Sequence, residues 1–348
     1  MTNILLAKPV LKAEEVDLSV GESNITRLNL FRHFPQLCNS NILTLNQELT
    51  VTDLEYQDPA GYKPLVEYLE AKHKTRVVIT NGAKQALAAV FYALKKLEYS
   101  GICLQPIHWA LLPPMIKTAG LGCAFREPTD PIAQEMAYLL VAPSNPDNWC
   151  PKYSELQQIN DAFVASNSPL IFDGAYYTHS YLPEDYELGP IGDVQIYSCS
   201  KMLGLSAARV GYAVIPNEEF YKLMIEYIEM DTVGVSIFSQ KFVYSVFQEM
   251  DKNPEDTKKF EKANFQELKE AKTILKSVSD KILEVPKDIE EQPGMFSWLK
   301  LKNKEAFEKA KIHIVSGEHF GDASMVRLNL GIGNDVLKKC ITKLNEAI

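Results

Sequence analysis

From residue 46 onward, short runs of apolar residues alternate with longer stretches of helical character, and this alternation limits the folds open to the chain. The apolar runs occupy residues 76–80, 102–104, 138–141, 170–172, 195–197 and 210–215. Helical stretches, including residues 64–73, 82–97 and 153–165, lie between several of these runs. Short strands separated by helices indicate a mostly parallel sheet that is covered on both faces. The pattern therefore predicts an α/β fold.

The C-terminal part of the chain predicts a second, smaller unit. Residues 236–277 are helical in character and rich in Lys and Glu, and an interruption near Asn253-Pro254 allows one long helix or two. Strand candidates at residues 295–301 and 325–330 enclose a short helix, and an amphipathic helix closes the chain. Apart from an extended piece at residues 16–20, the N-terminus is predicted to be irregular. We therefore expect residues 1–45 to form an arm that joins the small domain and residues 46–240 to form the large domain. Residues 241–348 should form an interdomain helix and the rest of the small domain.

Composition excludes several classes of function. The net charge is −9 and no run of Lys and Arg is long enough to form a nucleic-acid groove. The apolar N-terminal stretch is short for a signal peptide, and nowhere do about 18 apolar residues follow one another, so we expect no membrane span. The six cysteines are scattered without metal-ligand spacing. They predict reduced thiols in a cytoplasmic protein and no metal site.

Lys201 is the most informative residue that follows a predicted strand. Ligands of parallel sheets lie beyond the carboxyl ends of the strands, so residues in these places are candidates for function. Lys201 directly follows an apolar run and two serines, Ser198 and Ser200, and Arg209 lies eight residues further on. A nucleophilic lysine needs a partly neutral amine, which a desolvated pocket and a nearby cation both favour. A solvated lysine with a structural arginine is the alternative.

Asp173 ends another apolar run and precedes Gly174-Ala175-Tyr176. A carboxylate at the end of a buried strand costs free energy unless it meets a cation or hydrogen-bond donors. Tyr176 offers a phenol in the same loop. The alternative is that Asp173 merely caps the next turn.

Gly82 stands between a predicted strand and a predicted helix, in Thr80-Asn81-Gly82-Ala83-Lys84. Free N–H groups and the helix dipole at such a place favour a phosphate group. The sequence is neither a Walker A loop nor GxGxxG, so nucleoside triphosphates and dinucleotides are disfavoured as ligands. An ordinary strand-to-helix turn is the alternative.

Arg327 lies inside a predicted strand, in Ser-Met-Val-Arg-Leu-Asn-Leu. A guanidinium group among apolar residues requires a carboxylate, and its fork suits two hydrogen bonds to one. That carboxylate belongs either to a ligand or to a structural salt bridge within the small domain.

Taken in order, these residues resemble the fold-type I pyridoxal-phosphate enzymes, in particular the class I/II aminotransferases. The most specific piece is Ser198-x-Ser200-Lys201 followed by Arg209-Val-Gly, and the resemblance extends from about Gly21 to the C-terminus. It implies the aspartate-aminotransferase-like fold, in which a mostly parallel seven-stranded sheet lies between helices and a smaller α+β domain is added. It also implies pyridoxal 5'-phosphate as the cofactor.

The resemblance implies a role for each matching residue. Lys201 would form the Schiff base with the cofactor and move protons, Asp173 would pair with the pyridine nitrogen, and Tyr176 would donate to the 3-oxygen. Further cofactor contacts are implied for Gly82, Ala83, Lys84, Asn145, Ser198, Ser200 and Arg209. On the substrate side, Arg327 would bind the α-carboxylate and Gly21 would lie over the substrate. Tyr56 resembles the tyrosine that reaches the phosphate of a neighbouring subunit, which implies a homodimer.

The sequence departs from the family pattern in two places. Asp147-Asn148 follow Asn145-Pro146, where the family usually has Thr-Gly. The aromatic residue that stacks on the cofactor normally stands two residues after the proline that is Pro106 here. By this count the stacking residue is His108, whereas the adjacent Trp109 offers the better π-surface for stacking.

Transamination between an amino acid or a related amine and a keto acid is the activity that the resemblance favours. The same residues also serve C–S lyases, decarboxylases and amino-acid cyclases, because the geometry of the bound substrate decides which bond breaks. Short length makes the chain similar to histidinol-phosphate aminotransferases and threonine-phosphate decarboxylases. A binding module without catalysis is the third possibility, but such a descendant would be expected to lack Lys201, Asp173 or Arg209, and all three are present.

Overall fold

The computed structural model describes residues 12, 14–39, 42–43 and 48–348. In these residues the strands are β1 Val16–Asp17, β2 Cys38–Asn39, β3 Ile42–Leu43, β4 Val77–Thr80, β5 Gly101–Leu104, β6 Gly122–Phe125, β7 Met136–Val141, β8 Leu170–Asp173, β9 Val194–Ser198, β10 Gly211–Val214, β11 Leu283–Glu284, β12 Phe296–Leu301, β13 Ile312–His313, β14 Val315–Ser316 and β15 Met325–Asn329. The α-helices are α1 Asn24–His33, α2 Lys63–His73, α3 Ala83–Lys96, α4 Leu112–Thr118, α5 Tyr153–Ala165, α6 Cys199–Met202, α7 Glu218–Asp231, α8 Ile237–Lys252, α9 Pro254–Leu275, α10 Lys304–Lys309 and α11 Asn334–Glu346.

The large sheet confirms the predicted α/β fold. It has seven strands in the order β4-β10-β9-β8-β7-β5-β6, and β10 alone among them runs antiparallel to its neighbours. The predicted strands are all present within a few residues. The sequence did not predict β6, an edge strand that is mostly exposed and contains none of the β-branched residues typical of strands.

Alternate residues of the large sheet enter two different cores. Residues such as Val78 and Ile171 pack with α3, α4 and α7, whereas their neighbours Val77 and Phe172 pack with α2, α5 and α8. A strand that is buried on both faces needs apolar residues at every position. This is why the strands appear in the sequence as unbroken apolar runs.

A second sheet has the order β11-β12-β15-β14 and is antiparallel throughout. It shares a core with α9, α10 and α11. Residues 236–277 form two helices, since α8 ends at Lys252 and Pro254 begins α9. Proline fits the first turn of a helix but interrupts one elsewhere, which explains the break.

The prediction that the N-terminal arm is irregular was wrong for Asn24–His33, which form α1. Ser23 caps this helix by accepting a hydrogen bond from the Thr26 backbone N–H. The buried face includes two polar residues, Thr26 and Asn29. The sequence therefore shows no apolar stripe of helical period, and the helix was not predicted.

The strand directions bring the candidate residues to one edge of the large sheet. β4, β5, β7, β8 and β9 all end at this edge, and the antiparallel β10 begins there. Among the helices that the structure describes, none combines the length and apolar character needed to cross a membrane.

Candidate active site

Lys201 lies in the short helix α6, which begins directly after β9. Its Nζ donates a hydrogen bond to the carbonyl oxygen of Gly21 and lies 5.7 Å from the centre of the Tyr176 ring. Burial lowers the pKa of the Lys201 amine to about 8, and the positive charge of Arg327 acts in the same direction. A Cβ atom on residue 21 would lie 3.3 Å from Nζ, so glycine there leaves room around the amine. This lysine can therefore act as a nucleophile near neutral pH.

Asp173 is the last residue of β8 and is 7% exposed. Burial raises the pKa of its carboxyl group to about 6, although the positive charge of Lys201 acts against the rise. Oδ1 accepts a hydrogen bond of 3.0 Å from the Ala175 backbone N–H, so the carboxylate does cap the turn. One such bond leaves most of its acceptor capacity free for a donor on a ligand.

Gly82 and Arg209 lie against each other at the place where the sequence predicts a phosphate site. Gly82 has a φ of 74°, and a Cβ atom on it would clash with Nη2 of Arg209. The Arg209 guanidinium donates to the Ser200 hydroxyl at 3.3 Å and to the Asn81 carbonyl oxygen at 3.3 Å. Ser198, at the end of β9, and the first backbone N–H groups of α3, at Ala83 and Lys84, face the same edge. Backbone donors, a hydroxyl group and a guanidinium group together suit a phosphate dianion.

Trp109 and His108 pack differently. The Lys84 Nζ lies 5.3 Å from the centre of the Trp109 ring, so Trp109 borders the phosphate site. The His108 ring instead stacks on Phe125, with ring centres 4.8 Å apart and planes inclined by 20°. Its Nδ1 lies 2.9 Å from the Pro106 carbonyl oxygen. This packing opposes the register argument for His108.

Arg327 lies on β15, and its side chain meets Asn145 and acts electrostatically on Lys201. Nη1 donates to Asn145 Oδ1 at 2.9 Å, and Nη2 donates to the Ser19 carbonyl oxygen. The guanidinium carbon lies 4.4 Å from the centre of the Phe296 ring and 5.0 Å from that of Phe320.

The Arg327 guanidinium retains a donor for a further acceptor. In the part of the chain that the structure describes, its buried Nε has no hydrogen-bond partner. Burial lowers the pKa of Arg327 to about 10, which is still high enough to keep the group charged near neutral pH. An incoming carboxylate would meet a buried, charged fork between two aromatic rings.

The departure from the family pattern at Asp147-Asn148 has a local explanation. Asn148 has a φ of 58°, which glycine adopts freely and asparagine tolerates better than most other residues. The turn after Asn145 is therefore kept without the glycine.

Tyr56 does not lie with the other predicted site residues, since its side chain is 90% exposed in the single chain.

Sequence reasoning missed several residues that contact the site. Phe296 and Phe320 flank Arg327, and the Tyr181 hydroxyl donates to the Lys201 carbonyl oxygen at 2.8 Å. Phe296 and Tyr181 lie in apolar surroundings that look like ordinary core in the sequence. The signal that could have found Phe296 was the antiparallel pairing of two predicted strands, which sets Trp298 opposite Arg327. Phe296 is two residues from Trp298 and therefore lies on the same face of the sheet as Arg327.

Comparisons with known proteins identify a family and a fold. The family model Alliinase_C, described as allinase, matches residues 115–348. Tryptophan aminotransferase-related protein 2 of Arabidopsis thaliana is 27% identical over 288 residues, which cover 73% of this chain and 62% of that protein. Alliin lyase of Allium cepa var. aggregatum is 26% identical over 184 residues, which cover 46% of this chain and 41% of that protein. The chain thus spans less than two thirds of the length of these relatives.

Two solved structures show the same fold. A double mutant of Thermus thermophilus aspartate aminotransferase has a TM-score of 0.74 at 18% identity, and the match covers 96% of this chain and 92% of that one. The aromatic aminotransferase of Pyrococcus horikoshii OT3 has a TM-score of 0.74 at 15% identity and covers 96% of both chains. The aspartate-aminotransferase-like fold is therefore confirmed.

Proposed function

The chain belongs to the allinase family of fold-type I pyridoxal-phosphate enzymes, and from that premise we propose that it is an aminotransferase that acts on an amino acid and a keto acid. Members of this family depend on pyridoxal phosphate. The observation that carries the proposal is the buried amine of Lys201, whose pKa is lowered to about 8. Arg327, whose positive charge acts on Lys201, would bind the substrate carboxylate.

The described residues fit pyridoxal phosphate. Asp173 is a buried carboxylate that needs a donor, and the protonated pyridine nitrogen is one. Because Gly82 has no side chain, the Arg209 guanidinium fits beside it, where it would bind a phosphate group. Tyr176 and Asn145 would donate to the 3-oxygen, and Trp109 is favoured over His108 for stacking on the ring. Lys201 would hold the aldehyde covalently.

The residues of the chain then have separate tasks. When bound, pyridoxal phosphate supplies an aldehyde that links to amines and a ring that accepts the electrons of the broken bond. Arg327 fixes the substrate carboxylate, and this fixed point orients the bonds at the α-carbon. Lys201 Nζ would be the base that takes the proton from the substrate α-carbon. Asp173, a buried carboxylate, would pair with the pyridine nitrogen and favour its protonated form.

The lowered pKa of Lys201 predicts how the rate of covalent cofactor attachment depends on pH. Only the neutral amine attacks an aldehyde, so the rate in cofactor-free protein should rise about tenfold per pH unit below about pH 8 and level off above it. Stopped-flow absorbance measures this rate. In an Arg327→Gln variant the midpoint should move to higher pH, because a positive charge that disfavours protonation of Lys201 is removed. A midpoint near pH 10.5, the ordinary value for lysine, would contradict the buried environment.

A C–S lyase is the second candidate function, because alliin lyase matches part of this chain. The match to the tryptophan aminotransferase-related protein covers more of the chain, 73% against 46%, and supports transamination. A keto-acid dependence assay separates the two reactions. A transaminase consumes one keto acid for each amino acid converted, and we expect no sustained turnover of amino acids, alkyl-cysteine sulfoxides included, without one. Sustained release of ammonia and pyruvate from a cysteine sulfoxide, in the absence of any keto acid, would favour the lyase instead.

A homodimer is part of the proposal. Tyr56 is 90% exposed, and the nearby Val51 and Leu54 are 82% and 73% exposed, which is unusual for a cluster of large apolar side chains. The segment is anchored to α8 by the buried ion pair of Lys241 and Asp53, whose charged atoms are 2.7 Å apart. A fixed apolar segment suits the surface of a second copy, at which Tyr56 would reach the phosphate of the partner. Sedimentation as a monomer at micromolar concentration would contradict this part.

A further inference from the structure

Asn148 occupies a backbone position at which the family usually has glycine. Its φ is 58°, and its backbone N–H donates to the Ser144 carbonyl oxygen at 3.1 Å, which closes the turn around Asn145. Glycine would make the same turn with less strain. The chain therefore keeps the turn and gains a side chain in it.

The side chain of Asn148 connects this turn to the antiparallel sheet. It is 3% exposed, and its Nδ2 donates a hydrogen bond of 2.7 Å to the Phe296 carbonyl oxygen on β12. Gly294 has a φ of 77°, and a Cβ atom there would clash with Asn148 Oδ1. The asparagine thus fills the space that this glycine leaves. Such a buried, closely packed contact fixes the turn against the strand.

Phe296 links this contact to substrate binding. Its ring centre lies 4.4 Å from the Arg327 guanidinium carbon and 5.5 Å from the Tyr176 ring centre. Asn145, in the same turn as Asn148, accepts from Arg327 itself at 2.9 Å. A substrate carboxylate at Arg327 would compete with Asn145 for the guanidinium donors, whereas the buried hydrogen bond between Asn148 and the Phe296 carbonyl oxygen uses none of these donors. The hydrogen bond from Asn148 to Phe296 can therefore persist when Arg327 exchanges Asn145 for the substrate.

We propose that Asn148 is a positioning residue that keeps Arg327 and Phe296 in place for the substrate carboxylate. This inference rests on the proposed function, because it assumes that an amino acid binds at Arg327. Asn148 acts through the backbone of Phe296 and touches neither the substrate nor the reacting atoms. Its effect should accordingly appear in amino-acid binding rather than in cofactor binding.

Two substitutions at residue 148 test the proposal in the holoenzyme. Asn148→Gly keeps the backbone conformation and removes the tether, whereas Asn148→Asp keeps the shape but replaces the Nδ2 donor with an oxygen that faces a carbonyl oxygen. The probe is 2-aminoisobutyrate, an amino acid without an α-proton, and its binding is followed by cofactor absorbance. We expect Asn148→Gly to weaken binding about threefold to tenfold, the effect of one net hydrogen bond, and Asn148→Asp to weaken it more. Cofactor affinity should stay within about twofold of wild type.

Hydrogen exchange in cofactor-free protein gives a second measurement that does not need activity. Peptides that cover residues 292–298 should exchange faster in Asn148→Gly, because Phe296 has lost its tether. Gly294→Ala should also weaken probe binding, since the added methyl group displaces Asn148. In protein that already carries Asn148→Gly, the Gly294→Ala substitution should weaken probe binding less, because the methyl group then has room.

The outcomes separate this inference from the proposed function. Failure of the wild-type protein to bind cofactor or probe would overturn the proposed function, and this inference with it. Normal binding by the wild type, with unchanged probe affinity in both Asn148 variants, would overturn the positioning role alone. Equal losses of probe affinity and cofactor affinity would also overturn it, because they would indicate a general structural role.

Discussion

Replacing Lys201 with alanine is expected to lower the rate of transamination at least about 10³-fold. Nζ is the group that we assign to covalent cofactor binding and to proton movement, and it is held at the Gly21 carbonyl oxygen in a buried environment. The Lys201 backbone also accepts from Tyr181, and alanine keeps this contact. Steady-state assays with a saturating amino donor and keto acid measure the loss.

Lys84 provides the matched control for Lys201. It is another lysine near the predicted phosphate site, and burial lowers its pKa as well. Lys84→Ala should weaken cofactor binding while leaving turnover at saturating cofactor within about tenfold of wild type. A small primary amine added to Lys201→Ala should restore part of the activity, because it replaces the missing base. Near-normal turnover of Lys201→Ala without added amine would show that the nucleophile lies elsewhere.

Replacing Asp173 with asparagine is expected to lower turnover about 10²-fold to 10³-fold, the usual effect of losing one well-placed electrostatic partner. An amide cannot hold the pyridine nitrogen in its protonated form. Asparagine can still accept from the Ala175 backbone N–H, so the turn that Asp173 caps should persist.

Protein stability separates the electrostatic role of Asp173 from a structural one. Burial raises the pKa of Asp173 from its ordinary 3.8 to about 6, so its charged form disfavours folding above about pH 6. The Asp173→Asn substitution would remove that cost, and the free energy of unfolding of the cofactor-free protein at pH 7 should not fall. A variant that is both inactive and strongly destabilised would indicate that the carboxylate serves the fold. Retention of more than about a tenth of the activity would contradict its role at the ring.

Much of the large sheet could be predicted because its strands are buried on both faces. Every residue of β8, for example, is buried, so the strand is visible as an apolar run and Asp173 stands out at its end. Lys201 and Gly82 are conspicuous for the same reason, since each follows a strand of this kind. Only the arrangement of strands in the sheet brings these three loops together.

The rest of the site could not be predicted because its residues depend on contacts between distant parts of the chain. Phe296 resembles any core aromatic residue until the antiparallel pairing of β12 with β15 sets it beside Arg327. Register favours His108, but sequence alone does not show that the His108 ring stacks on Phe125 while Trp109 lies beside Lys84.

Borohydride reduction of the holoenzyme, followed by mass spectrometry of its peptides, tests the central claim most directly. Reduction makes the bond between cofactor and lysine permanent, so the modified residue can be identified by mass. We predict that the cofactor mass is found on the peptide that contains Lys201 and is absent from Lys201→Ala. Modification of Lys84 or another lysine in place of Lys201, or of no lysine at all, would contradict the account.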